Sequence, residues 1–181
     1  MKTLHSLRLT LRPVVPTDHI KLSEMLQDAD ITKHLFSGQL TAFEAETFIA
    51  NHFLKEEDGS FGMGTLVQNT NGKFVGFAGL IPSEHPYQND LELGFAIVKA
   101  ARGNKYGKEI GKRQIVFGFE DLKLPRVLAL VHPGNKESKH ILEVNLEMKK
   151  IDTLEVPERG PRIVYSLERE AYLRNQDYYL H

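Results

Sequence analysis

The chain has 181 residues, of which 41% are hydrophobic and 26% charged, with a formal net charge of −1. These proportions predict one globular domain over residues 1–181 with a real core, disfavour disordered, collagen-like and coiled-coil classes, and give no broad pull toward nucleic acid or an anionic membrane. Cysteine is absent, which removes disulfides, thiolate metal sites and a cysteine nucleophile; with no signal-peptide core in Met1–Arg12 and no run of about 20 apolar residues, the expectation is a cytoplasmic protein without a membrane partner.

In chain order, Leu7–Leu11 of SLRLTLRP alternates apolar and polar residues and stops at Pro13, the pattern of a strand. Thr17 and Asp18 open a segment in which Leu22, Met25, Leu26 and Ala29 fall at helical spacing. Thr41 and Glu44 form a capping-box pair ahead of a second helix whose apolar face is Ala45, Phe48, Ile49 and Phe53. Two strands follow, Phe61–Val67 and Lys73–Ile81, joined through an Asn-Gly turn that predicts a hairpin.

Leu91–Val98 reads as a strand, Tyr106–Leu122 as a helix and Val127–Val131 as a continuous apolar strand. A strand buried on both faces, reached through a helix, implies parallel pairing and a right-handed βαβ crossover. A further helix is expected from about Asn135 to Met148, and Ile151–Val156 pairs with Arg162–Leu167 across the Pro157–Pro161 turn. The C-terminal Tyr172, Tyr178 and Tyr179 close the core or serve a homodimer interface, with core packing preferred. The expected fold is thus a mixed α/β domain with a central twisted sheet of six to seven strands flanked by helices.

The bend of the βαβ unit carries KAARGNKYGKEIGKRQ, residues Lys99–Gln114, with two glycines, Gly103 and Gly107, at the bend itself and several cations. The first amides of a helix point outward with the positive end of its dipole and favour an anion. Gly103-Asn104-Lys105 breaks the dinucleotide fingerprint, and Gly103 and Gly107 bracket three residues rather than the four of a P-loop.

Arg102-Gly103-Asn104-Lys105-Tyr106-Gly107-Lys108-Glu109 resembles instead the pyrophosphate loop of the GNAT superfamily of acyl-CoA-dependent N-acyltransferases, R/Q-x-x-G-x-G/A. LRLTLRPVVPTDHIKLSEMLQDADITKHL is similar to the opening of the branch that includes ribosomal-protein alanine N-acetyltransferases, LELGFAIV to its fourth strand, and ALVHPGNKESKHILE to its fifth strand and next helix. The resemblance runs to about Met148. It departs at Lys105, where the signature has a glycine, at Leu142, where many members have a tyrosine proton donor, and at Leu146 or Glu147, where a glycine is usual.

The resemblance implies acetyl-CoA as cosubstrate, no metal, and an amine acceptor that is a protein N-terminus or a small molecule. It implies cofactor binding by Phe95, Ala96, Ile97 and Val98 of the strand, by Arg102, Gly103, Asn104, Lys105, Tyr106, Gly107 and Lys108 of the loop, and by Asn135 and Ser138. Alternation puts Glu92 on the strand face that is otherwise small (Gly94, Ala96, Val98), beside the space a ligand needs. Glu92 is therefore the candidate general base, acting through water, against the alternative of an ion-paired strand residue. Ser138 is the candidate proton relay to sulfur, while Asn135 is equally accounted for as a helix cap. The eight histidines show no metal-ligand spacing. A non-catalytic acyl-CoA-binding or interaction domain is the alternative function. Acceptor recognition would fall to the first two helices and last strands, with Glu56, Glu57 and Asp58 as a local acidic run.

Overall fold

A computed structural model describes residues 1–36, 38–54, 61–84, 86–157 and 159–181. Its strands are β1 (Leu4–His5), β2 (Leu9–Arg12), β3 (Gly62–Gln68), β4 (Phe74–Pro82), β5 (Leu91–Ile97), β6 (Arg126–Val131), β7 (Lys149–Val156) and β8 (Gly160–Glu168). They form one sheet in the order β1-β2-β3-β4-β5-β6-β8-β7. Neighbours are antiparallel except β5 and β6, which are parallel as the crossover requires. The sheet has eight strands, rather than the expected six to seven. The addition is β1, whose two residues are too short to show an alternation but pair with β2 at Leu4–Leu11.

The helices are α1 (His19–Leu26), α2 (Ala29–Thr32), α3 (Ala42–His52), α4 (Tyr106–Val116), α5 (Lys136–His140), α6 (Arg169–Arg174) and α7 (Gln176–Leu180). Thr41 caps α3 as its spacing with Glu44 predicts: the Glu44 N–H donates to Thr41 Oγ1 and the Thr41 N–H to Glu44 Oε2 at 2.7 Å. Both α4 and α5 continue into π-helical segments, Phe117–Asp121 and Ile141–Asn145. The helix expected to reach Met148 therefore stops at Asn145, and the N-terminal strand begins at Leu9 because Leu7 is exposed to solvent.

Helices cover both faces of the sheet, so its central strands are apolar throughout, as in the run FVGFAGL of β4, buried at every position. One core packs α4 residues Ile110 and Ile115 against Leu80, Leu93 and Val127 and is closed by Tyr172 and Tyr179. Tyr172 stacks on Phe119 at 4.8 Å, and Tyr179 donates to the Leu146 carbonyl at 3.0 Å. The other core packs Leu22 and Leu26 of α1 and Ile49 of α3 against Phe77 and Ala96. Burial of this kind is the main favourable term holding the layers together, at roughly 1.5–3 kcal/mol per large side chain.

Candidate active site

The parallel strands meet in register at Glu92 and Leu128, and among the described residues no further pair joins them. Past that point both strands line a cavity of about 740 Å³, β5 with Glu92, Leu93, Gly94 and Phe95 and β6 with Ala129, Leu130 and Val131. The Val98 N–H donates to the Val75 carbonyl on β4, and β4–β5 register is regular from Pro82–Leu91 to Gly76–Ile97. Main-chain groups of alternate residues point to opposite neighbours in a sheet. Those of Phe95 and Ile97 therefore point away from β4 into the gap. The open edge can accept an extended ligand as a missing strand would be accepted, with the Phe95 N–H as a donor at its deep end.

Beyond Ile97 a 3-10 turn, Lys99–Ala101, leads into the loop. Gly103 has φ +79° and Lys105 φ +62°, so Lys105 keeps the left-handed backbone of the glycine it replaces. The loop is held from outside the site. Asn104 Nδ2 donates to the Ala101 carbonyl at 3.0 Å, Arg8 Nη2 donates to the Asn104 carbonyl at 2.9 Å, and Glu109 accepts from the Arg8 N–H and Nε and from Ser6 Oγ, each at 2.7 Å. The first amides of α4 have no partner within the helix.

The side chains of the loop divide by role. Arg102 donates from Nη1 to Asp30 Oδ2 at 2.6 Å and from Nε to the Ile97 carbonyl at 3.2 Å, so two of its three guanidinium nitrogens are engaged within the protein. Hydrogen bonds from Lys33 and Arg102 lower Asp30 to about 2. Tyr106 is buried in the core and its hydroxyl accepts from Gln68 Nε2 at 2.8 Å, so its side chain is turned away from a ligand on the loop. Lys105 is exposed and Lys108 half-buried, its ammonium 5.7 Å from the Tyr178 ring centroid. A side chain on Gly107 would stand 2.9 Å from Phe95 Cε2 and 3.0 Å from Ile141 Cδ1, so its smallness lets the start of α4 lie directly on β5.

Glu92 is 4% exposed and borders the cavity. Its Oε2 accepts from Ser83 Oγ at 3.0 Å, and its Oε1 lies 3.5 Å from Arg159 Nη1. Burial raises the Glu92 carboxyl above the usual carboxylate range, while Arg159 and Ser83 pull it the other way. A base with such a pKa is closer to neutrality and better matched to removing a proton from an amine.

Asn135 caps α5, its Oδ1 accepting from the Ser138 N–H at 3.1 Å. Ser138, Asn135 and Leu142 also line the cavity, with Leu142 at the position of the missing tyrosine. Of the sequence-derived candidates, Glu92, Phe95, Asn135 and Ser138 meet in this cavity; Ala96, Ile97, Val98 and the loop from Arg102 to Lys108 lie outside its lining. Glu56, Glu57 and Asp58 lie outside the described residues.

The cavity also gathers residues that no local pattern marked as functional. His34 and His132 face each other with ring centroids 5.4 Å apart. Burial, then Lys33 and His132, lower the His34 pKa, which favours its neutral form, and its Nδ1 is buried without a partner among the described residues. His132 Nδ1 accepts from the Gly134 N–H at 3.0 Å, so the neutral ring carries its proton on Nε2. Arg159 comes from the β7–β8 turn and the phenyl groups of Phe36 and Phe48 from the α2–α3 region. Among the described residues, no group of three or more His, Cys, Asp or Glu side chains is arranged to hold a metal ion, and no helix is long and apolar enough to cross a membrane.

Residues 8–145 match the family model described as an acetyltransferase (GNAT) domain. An FsC-acetyl coenzyme A-N(2)-transacetylase of Aspergillus fumigatus is 27% identical over 190 residues, covering 96% of this chain and 79% of its own. Among solved structures, an acetyltransferase of Agrobacterium tumefaciens superposes with a TM-score of 0.79 at 20% identity, covering 93% of this chain and 95% of its own. Spermidine N-acetyltransferase of Vibrio cholerae, solved with CoA and spermine, gives a TM-score of 0.72 at 16% identity over 91% and 98%. These two likenesses concern the fold.

Proposed function

The chain belongs to the GNAT acetyltransferase family, and from that premise we propose that it moves the acetyl group of acetyl-CoA to a primary amine, of a small molecule or a protein N-terminus, by direct attack on the thioester. The diphosphate of acetyl-CoA lies on the first amides of α4, where the left-handed turns at Gly103 and Lys105 aim main-chain donors at an anion. The ammonium groups of Lys105 and Lys108 add positive charge. Tyr106 takes part through its N–H, and Arg102 through the order it gives the loop.

The pantetheine arm follows the open edge of β5 from Val98 toward Phe95, which brings the thioester to the fork. The Phe95 N–H then polarises the carbonyl oxygen. The amine enters through the cavity. Its nitrogen bonds to the carbonyl carbon, its proton passes to Glu92 directly or through water, the C–S bond breaks, and the departing sulfur takes a proton relayed by Ser138. Neither a covalent enzyme intermediate nor a metal ion is required by this sequence of events. The dimensions agree with it, since a cavity of about 740 Å³ has room for a small acceptor beside the thioester.

The single observation that carries this reading is the placement of Glu92: a buried carboxylate of raised pKa, at the point where β5 and β6 part, bordering the cavity. That placement favours chemistry over simple acyl-CoA binding, because a binding module gains nothing from desolvating a carboxylate there. The acceptors named for relatives, a polyamine in one case, fit the same reaction class. Incubation with acetyl-CoA and a panel of primary amines tests the reading. It predicts acceptor-dependent release of CoA together with the N-acetyl product; binding of acetyl-CoA without such release would leave the non-catalytic alternative.

A further inference from the structure

Arg159 stands in the cavity wall next to the base. Its Nη1 reaches Glu84 Oε1 at 3.3 Å and Glu92 Oε1 at 3.5 Å, both longer than the roughly 2.7–2.9 Å of a well-formed charge-assisted bond. The Nε and Nη2 donors have no partner among the described residues. The guanidinium is thus loosely held by carboxylates on one side and has donors to spare, in a cavity wall where water would have to be displaced by a ligand.

A second guanidinium lies nearby. Arg162 is fully buried and its Nη1 and Nη2 donate to the carbonyls of Pro161 at 2.8 Å and Leu35 at 2.9 Å. Burial, and then Arg159, lower it to about 10, so it remains a cation at neutral pH. Glu84 and Glu92 are the carboxylates lining the cavity among the described residues; Arg159 lines it beside them, and Arg162, buried outside the lining, adds a cation within electrostatic reach of Glu92. Among the described residues, a polycationic acceptor would find no excess of acid there. A zwitterion would find a base for its amine and a guanidinium for its acid. Phe36, Phe48, Phe77 and Ile81 supply an apolar wall for the rest of the molecule.

We infer that Arg159 selects the acceptor: the amine acetylated in this cavity is a small molecule carrying a carboxylate close to its amino group, and that carboxylate seats on the unpartnered donors of Arg159 while the amine faces Glu92. The assignment rests on the amine-acetylating reading above and narrows it. An ordinary protein N-terminus, which lacks a carboxylate beside its amine, is disfavoured by it. A planar carboxylate and a guanidinium also fix orientation, so the same contact aligns the nucleophile with the thioester.

The test is steady-state CoA release at saturating acetyl-CoA with matched sets: leucine and phenylalanine, their carboxamides, and their decarboxylated amines, with rates referred to the concentration of neutral amine. The native protein is expected to favour the free acids by about tenfold to a hundredfold in kcat/KM. In Arg159→Gln that preference should collapse, chiefly through the KM of the acids, and Arg159→Lys should restore part of it. Melting curves and acetyl-CoA binding of both variants verify that they are folded, and the native comparison stands without them. Acids used no better than their carboxamides, or a preference that survives Arg159→Gln, would overturn the assignment while leaving amine acetylation intact. Turnover of N-terminal peptides alone would do the same. Absence of turnover with every amine, despite bound acetyl-CoA, would overturn both.

Discussion

Glu92 and Leu128 are the register pair that joins β5 to β6, so a buried carboxylate sits at the point from which the two parallel strands diverge. The role assigned to Glu92 depends on this relationship. On a fully paired strand the same residue would be enclosed by the sheet, whereas here the neighbouring backbone edge is open and the side chain borders the cavity.

Replacing Glu92 by Gln separates a catalytic from a structural role. As a base, Glu92 must be ionised, so turnover falls as pH drops through its raised pKa, and the acid limb of kcat/KM lies above the ordinary carboxylate range. Glu92→Gln is expected to lower turnover by about 10²–10⁴-fold and to abolish that limb. Stability moves the other way. A carboxyl whose pKa is raised by folding binds its proton more tightly in the native state, so its contribution is full below the unfolded pKa and is lost as pH rises through the folded pKa. At neutral pH the variant should therefore melt no lower than the native protein, and higher if desolvation dominates. A fully active variant, or one that is inactive because it has unfolded, would remove the assignment.

Lys105, where the GNAT loop signature resembled by this chain has glycine, and Glu147, at the end of the helix after β6, both hold a left-handed backbone. Lys105 has φ +62° and Glu147 φ +54°. A left-handed conformation costs a residue with a Cβ roughly 1–2 kcal/mol, partly offset by the greater freedom of glycine in the unfolded chain. Glu147→Gly should raise stability by up to about 1 kcal/mol, an increase of about 2–4 °C for a chain of this size, after loss of the 3.0 Å bond from Asn175. Lys105→Gly should retain acetyl-CoA binding in titration calorimetry. Lys105→Val, which combines branching with positive φ, should weaken both binding and stability. Loss of binding in Lys105→Gly would mean that the ammonium, rather than the turn it occupies, holds the diphosphate.

Much of the frame is legible in the sequence because its signals are local. The Asn-Gly turn, the Thr41–Glu44 box, the unbroken apolar run of β6 and the alternation that places Glu92 with Gly94 and Ala96 each involve residues within a few positions of one another. The two-residue β1 has no period to read, and the positive φ of Lys105 is invisible in a residue type that rarely adopts it. His34 meets His132, and Arg159 meets Glu92, across wide stretches of chain. Such contacts follow from sheet order, which places the β7–β8 turn beside β5 only after β8 has inserted next to β6.

Gly107→Val is expected to weaken cofactor binding, and it carries a packing cost as well. Even the Cβ of Gly107→Ala must displace the ring of Phe95 and the end of Ile141. A destabilisation of about 1–3 kcal/mol in denaturant titration is predicted, together with reduced acetyl-CoA affinity because Phe95 borders the gap. A variant of unchanged stability would show that the neighbours yield freely.

Asn135 and Ser138 should part company under substitution. Asn135→Ala removes a helix cap and is expected to cost about 1 kcal/mol of stability with little change in turnover. Ser138→Ala should leave stability within about 0.5 kcal/mol and lower turnover by about tenfold or more, if the serine relays a proton to sulfur. Melting curves beside kcat distinguish them, and the opposite pattern would exchange their roles.

Titration of the protein with acetyl-CoA, followed by an acceptor screen that reads released CoA and N-acetyl product in the same vessel, bears on the whole account. Saturable binding that is weakened by Gly107→Val, and product formed with at least one primary amine by the native protein but not by Glu92→Gln, is the predicted result. Product formation undiminished in Glu92→Gln, or no binding of acetyl-CoA by the folded protein, would contradict it.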